Sequence, residues 1–127
     1  MFLTASRCAL SRFQIRRKVT KSDVEQFARL TGDTNPIHFE GPRPIAHGVL
    51  LQGFVSGVIG TECPGPGTVV LSQQIKFSNP CPVDSEVEIT VEMLNERKIS
   101  ECKFEVVLCE NDLMLLSGTA KLLAPKN

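Results

Sequence analysis

No apolar run in this 127-residue chain approaches the ~18 residues that a membrane-spanning helix requires, so insertion into a bilayer is not expected. An excess of either charge is also missing. Fourteen Lys and Arg balance fourteen Asp and Glu, and bulk electrostatics gives no reason to expect a nucleic acid or other polyanion as partner. There is no CxxC pair. The five cysteines (Cys8, Cys63, Cys81, Cys102 and Cys109) are odd in number and scattered. That fits a reducing compartment better than a disulfide framework or a zinc site. The two histidines, His38 and His47, lack the i,i+4 spacing of a helical metal pair, and no glycine-rich βαβ fingerprint is present. No metal, flavin or nicotinamide cofactor is therefore expected. A zinc set of His38, His47 and Cys63 remains open with no spacing signature behind it. What is present is an ordinary globular composition, 42% hydrophobic and 22% charged, without internal repeats and sized for one domain.

Acids are absent from Met1 to Ser22, while Arg7, Arg12, Arg16, Arg17, Lys18 and Lys21 all fall there among Ser, Phe and Leu. That composition is the one a mitochondrial transit segment shows, and a basic first strand with a frayed terminus explains it as well. The expected organisation is a transit segment over residues 1–12, with cleavage before about Phe13, and one domain over residues 13–127.

Phe13, Ile15 and Val19 partly alternate, the pattern of an edge strand. Thr20-Lys-Ser-Asp23 then resembles a capping box, and Val24, Phe27, Ala28 and Thr31 fall on one face of the helix it would start. Gly32 suits its C-cap. Pro36, Gly41, Pro42 and Pro44 mark a loop. A second helix is expected from about Ala46–Val49 to Ile59, apolar on nearly every face and hence buried. Gly53 and Gly57 share one side of it and permit close approach of a sheet or a partner helix. After the breaker-rich Thr61–Thr68, four strands are expected at Thr68–Phe77, Ser85–Leu94, Lys98–Cys109 and Leu113–Leu123. The order predicts an α+β fold, an antiparallel sheet wrapped on one buried helix. Sheet edges and an uncovered apolar sheet face would be hidden by dimerisation.

Residues 33 to 48, DTNPIHFEGPRPIAHG, gather an acid, both histidines and a glycine opening a helix. Carboxylate and imidazole can share a proton-transfer task, because their unperturbed pKa values lie on either side of mildly acidic pH. A helix N-terminus can stabilise developing negative charge. Each residue also has a plainer use. Asp33 and Asn35 are good turn residues, His38 could simply bond backbone, and His47 could mark a helix start.

Phe27-Ala-Arg-Leu-Thr-Gly-Asp33-Thr-Asn35-Pro36-Ile-His38, then Pro44-Ile-Ala-His47-Gly48-Val-Leu-Leu, resembles the signature of the MaoC-like or (R)-specific enoyl hydratase family. Pro64-Gly-Pro-Gly67 and Leu71-Ser-Gln-Gln-Ile-Lys-Phe77 add to the likeness, which spans about Phe13 to Leu123. The resemblance implies a hot-dog fold, a central helix wrapped by an antiparallel sheet, with two protomers joined edge to edge as a homodimer. It implies reversible dehydration of (3R)-3-hydroxyacyl thioesters, carried on acyl carrier protein or CoA, to trans-2-enoyl thioesters. Carried over by position, Asp33 and His38 are the catalytic pair and Gly48 N–H the oxyanion donor. Asn35 shapes the turn or binds reacting groups, Ser56 is a supporting hydroxyl, and His47 has no catalytic role. One departure stands out: only Phe39–Arg43 separate His38 from Pro44, where family members usually carry a longer segment.

The expected function is a mitochondrial-matrix 3-hydroxyacyl-thioester dehydratase, a lyase of fatty acid biosynthesis. Two alternatives compete: an (R)-enoyl-CoA hydratase of fatty acid oxidation, and a catalytically impaired acyl-thioester-binding hot-dog protein, which the short link favours.

Overall fold

The structure, a computed structural model, describes residues 11–124. Strand β1 (Arg12–Val19) leads into helix α1 (Lys21–Thr31), a single 3-10 turn (Pro36–His38) and helix α2 (Gly48–Thr61). Four strands follow: β2 (Val69–Phe77), β3 (Ser85–Met93), β4 (Ile99–Leu108) and β5 (Leu113–Leu123). All neighbouring pairs are antiparallel in the order β1-β3-β4-β5-β2. Chain-adjacent β1 and β2 thus become the two edges, and the connection carrying both helices crosses between them.

Local signals set the helix ends as expected. The Thr20 hydroxyl accepts the Asp23 N–H at 3.0 Å, and the Asp23 carboxylate accepts the Thr20 N–H at 2.9 Å. Gly32 closes α1 in the left-handed conformation at φ 80°, which costs glycine nothing. Val24 and Ala28 are buried and Phe27 is half-buried, but Thr31 is exposed, its hydroxyl turned back to the Phe27 carbonyl.

The sheet separates its residues by parity. Val87, Ile89 and Val91 on β3 pair with Leu108, Val106 and Phe104 on β4, and all six are buried beneath α2. Leu50, Leu51, Val55, Val58 and Ile59 supply the helix side of this core. Burying a side chain of that size contributes about 1.5–3 kcal/mol each. The outer face is polar, with Glu88, Glu92, Lys103 and Glu105 facing away from the core. The outer parity of β3 is Glu86, Glu88, Thr90 and Glu92, and β4 places Glu101, Lys103 and Glu105 there, so the middle of the outer face is polar, with apolar Ile99 and Val107 toward the ends of β4.

The basic N-terminal stretch has partners. Arg12, Arg16 and Lys18 lie opposite Glu92, Glu88 and Glu86 in the β1–β3 register, and Arg16 reaches Glu88 at 3.1 Å. Arg17 turns the other way, bridging Asp23 at 3.1 Å while its guanidinium lies 3.9 Å from the Phe54 ring centroid. Of the expected transit segment, residues 1–10 lie outside the described residues. Arg12 opens β1 opposite Glu92, and just before it the Ser11 carbonyl accepts the Met93 N–H at 2.7 Å.

Helix α2 departs from expectation on one face. It is apolar nearly all round, yet only the side against β3, β4 and β5 is covered. Val49 remains 62% exposed, and Gly53, Ser56 and Gly57 are open. Nothing lies within 4 Å of where a Cβ on Gly53 or Gly57 would sit. A single chain has one sheet and can cover only one side of its helix.

Candidate active site

The segment after α1 is organised by short polar turns. Asp33 Oδ1 accepts the Asn35 N–H at 3.3 Å, and Asn35 Oδ1 accepts the Ile37 N–H at 3.2 Å, capping the 3-10 turn. Asn35 therefore shapes the loop that presents His38. The five-residue link Phe39–Arg43 then bends back so that Ile45 N–H donates to the Ile37 carbonyl at 3.1 Å. Ala46 N–H donates to the Cys81 carbonyl at 2.8 Å, fastening the return to the loop before β3. Short as it is, the link delivers Gly48 to the same pocket as His38.

His38 is 7% exposed. Its Nδ1 lies 2.7 Å from the Ile45 carbonyl oxygen, which can only accept, so Nδ1 carries the hydrogen and Nε2 keeps its lone pair in the neutral ring. That Nε2 stands 4.0 Å from Asp33 Oδ1. The separation is too long for a hydrogen bond, and each group keeps its lone pair for something placed between or beside them. The Asp33 side chain is half-exposed and stands outside the pocket lining, reaching the site through its approach to His38.

The pocket measures about 360 Å³. Ile37, Ile45, Leu51, Phe77, Cys81 and Leu115 form apolar walls, and His38 and Gly48 sit among them. Burial pushes the Cys81 thiol up to about 11, so it behaves as wall and not as nucleophile. Gly48 is the first residue of α2, where a helix N–H has no acceptor within the helix. A Cβ there would lie 2.7 Å from two atoms of the Phe77 ring, so only glycine lets helix start and ring approach this closely. Ser56 stands apart. It lies eight residues along α2 from Gly48, roughly 12 Å at 1.5 Å per residue, on the exposed face and outside the pocket lining.

The residue that sequence reasoning passed over is His47. It occupies the N-cap of α2 as expected, but its side chain makes no cap bond. Instead Nε2 bonds the Asp33 carbonyl at 3.0 Å, and the ring stacks on His38 with centroids 3.5 Å apart and planes 26° off parallel. Phe27 packs its other flank at 4.8 Å. The available signal was the residue type: Ser, Thr, Asn and Asp cap helices and His does not, so a histidine there has its ring employed elsewhere.

Asp33, His38 and His47 could present ligand atoms within 4.8 Å of one another. One nitrogen of each histidine is already committed to a backbone carbonyl, however. Stacked rings also send their in-plane lone pairs alongside each other and not toward one point. The cluster suits proton transfer better than a metal. Cys63 does not join it; its thiol faces the Val91 carbonyl at 3.8 Å.

The sequence and the fold have counterparts. A profile described as a MaoC like domain matches residues 10–112. The chain belongs to the MaoC-like family. It is 36% identical over 123 residues to a 3-hydroxybutyryl-CoA dehydratase of Methylorubrum extorquens, covering 88% of this chain and 77% of that one. A mitochondrial 3-hydroxyacyl-[acyl-carrier-protein] dehydratase of Arabidopsis thaliana is 25% identical, with 86% and 72% covered. Among solved structures, an (R)-hydratase from Aeromonas caviae superposes with a TM-score of 0.84 at 28% identity, covering 90% of this chain and 94% of that one. The five-stranded antiparallel sheet around one helix is thus a hot-dog fold, of the α+β class.

Proposed function

We propose that this MaoC-like hydro-lyase interconverts (3R)-3-hydroxyacyl and trans-2-enoyl thioesters, with Asp33 and His38 as the acid–base pair and Gly48 N–H as oxyanion donor. The observation that carries the reading is the fixed tautomer of His38. Its Nδ1–H is held by the Ile45 carbonyl at 2.7 Å, leaving a basic Nε2 4.0 Å from Asp33 Oδ1, beside a helix start in an apolar pocket.

In dehydration, His38 Nε2 removes a proton from C2 of the thioester. The charge that develops on the thioester oxygen faces the Gly48 N–H, a donor already in place and aided by the helix dipole. Asp33 acts at the departing 3-hydroxyl: the proton taken up by His38 is relayed through the Asp33 carboxylate to that oxygen as the C3–O bond breaks, releasing water and leaving imidazole and carboxylate as they began. Hydration runs the same steps in reverse, with Asp33 taking a proton from water and His38 delivering one to C2.

Two finer assignments extend this reading. The first is a homodimer, supported by the open face of α2 and by apolar side chains exposed on edge strand β2, Val69, Leu71 and Phe77. Sedimentation of the protein and of Leu71→Glu tests it; a wild type that is monomeric at micromolar concentration overturns it. The second is mitochondrial fatty acid synthesis, supported by the acid-free N-terminal stretch and by likeness to the Arabidopsis enzyme. Residues 1–30 fused to a fluorescent reporter test the address, and diffuse cytosolic signal counts against it.

For the chemistry, enoyl absorbance is followed with crotonyl-CoA and with a longer enoyl thioester on CoA and on acyl carrier protein. Turnover by the wild type and losses of ~10²–10⁴-fold in Asp33→Asn and His38→Ala are expected. A folded wild type that leaves every substrate unchanged overturns the proposal and leaves acyl-thioester binding in its place.

A further inference from the structure

His47 is 2% exposed and lies against the reacting pair without occupying the reacting position. The Asp33 carbonyl can only accept, so the 3.0 Å contact places the ring hydrogen on Nε2. Nδ1, the other nitrogen, is buried with no hydrogen-bond partner among the described residues. Buried polar atoms without partners are uncommon, and one retained in a proton-transfer site asks for a reason. The ring makes three attachments at once. Its Nε2–H ties down the peptide of Asp33, its face lies on the His38 ring at 3.5 Å, and its own backbone carries directly into Gly48.

We infer that His47 is a positioning residue that holds the Asp33 loop, the His38 ring and the Gly48 amide in one register. The inference rests on the hydratase reading above. Asp33 lies in an exposed loop whose other contacts are local turn bonds, and an acid so placed needs a distant anchor to keep its carboxylate 4.0 Å from Nε2. His38 has one edge fixed by Ile45, and the stacked ring fixes its plane. An imidazole serves both purposes. Phenylalanine would keep the stack and lose the donor, whereas glutamine would keep a donor and lose the stack.

The experiment compares wild type, His47→Phe and His47→Gln by kinetics with crotonyl-CoA, thermal unfolding and ¹⁵N NMR of the imidazoles. In the wild type at pH 7, His47 is expected to show a protonated Nε2 and a bare Nδ1. His47→Phe is expected to stay folded and to lose ~10- to 10²-fold in kcat with KM within about threefold, as misplaced but intact catalytic groups do. His47→Gln, with its donor restored, is expected to fall between the two. Wild-type kcat in His47→Phe overturns the inference while leaving the hydratase reading intact; an inert wild type overturns that reading itself. A hydrogen on Nδ1 of wild-type His47 also overturns the inference, and this result does not depend on how the variants fold.

Discussion

Gly48→Ala separates the role of the helix start from the stability of the fold. The added Cβ would lie 2.7 Å from Cδ1 and Cε1 of Phe77, whereas carbon atoms in good contact sit at about 3.5–4.0 Å. Ring and helix start must therefore part by about 1 Å. Phe77 is 52% exposed on edge strand β2, so its ring can swing outward. The strain should fall at the lower end of the overpacking range, about 1 kcal/mol. Alanine's better helix propensity, up to about 1 kcal/mol over glycine, offsets much of that. Folding stability should then change by no more than about 1 kcal/mol. Activity should not be spared, because the displacement occurs where the oxyanion donor meets the pocket wall. A shift of that size at a catalytic group costs on the order of 10²-fold. Thermal unfolding and kcat/KM for enoyl-thioester hydration measure both. Adding Phe77→Ala frees the space, and the double variant should recover part of the loss, a non-additive coupling between contacting residues. A folded Gly48→Ala protein with kcat/KM within threefold of wild type would refute the assignment of Gly48.

Three further outcomes follow from the packing and the caps. Gly118→Ala on β5 would drive a methyl into the Gln74 carbonyl oxygen and to 2.7 Å from the Phe104 ring; a loss of about 3 kcal/mol or more is expected in urea unfolding, with no rescue by Phe104→Leu because the backbone clash persists. Thr20→Ala removes half of the capping box of α1 and should cost ~1 kcal/mol, seen as a drop of about 4 °C in Tm. Burial pushes the Cys81 and Cys102 thiols up to about 11 against an ordinary value of 9.0, Cys102 also feeling Cys63. The unfolded chain therefore releases protons first, and stability should be intact below pH 9 and fall between about pH 9 and 11. Cys81→Ala and Cys102→Ala should flatten that decline, and an unchanged slope contradicts the cause given.

Much of the fold was written locally. Thr20, Asp23 and Gly32 specify both ends of α1 by short-range bonds and a backbone preference, and those features need no tertiary partner. The alternation in β3 and β4 fixes which parity is buried, because side chains alternate faces whatever the sheet order. The sequence motif likewise placed Asp33, His38 and Gly48 in one neighbourhood. The rest depended on contacts between distant residues. His47 looked like a helix start because its backbone is one, while its ring acts on a carbonyl fourteen residues earlier. The basic stretch from Arg12 to Lys18 gives no sign, in its own residues, of the glutamates that the β1–β3 register sets opposite it. Charge patterning in one strand carries no information about the partner strand.

The same distinction governs α2. Periodicity analysis asks which face of a helix is apolar, and α2 answers with nearly all of it, which in a single chain cannot be satisfied. One sheet covers Leu51, Val55 and Ile59, and the opposite side keeps Val49 exposed beside Gly53 and Gly57. Glycines cost helix stability, about 1 kcal/mol each against alanine, and on a solvated face they return nothing. Close approach of another surface is what gives them value. Edge strand β2 adds Val69 and Leu71 in the open, together with Phe77, which also touches Gly48. A second copy laid along that edge would cover the apolar face and hold Phe77 against the helix start. In the proposed dimer, assembly and the shape of the oxyanion site are set by the same strand.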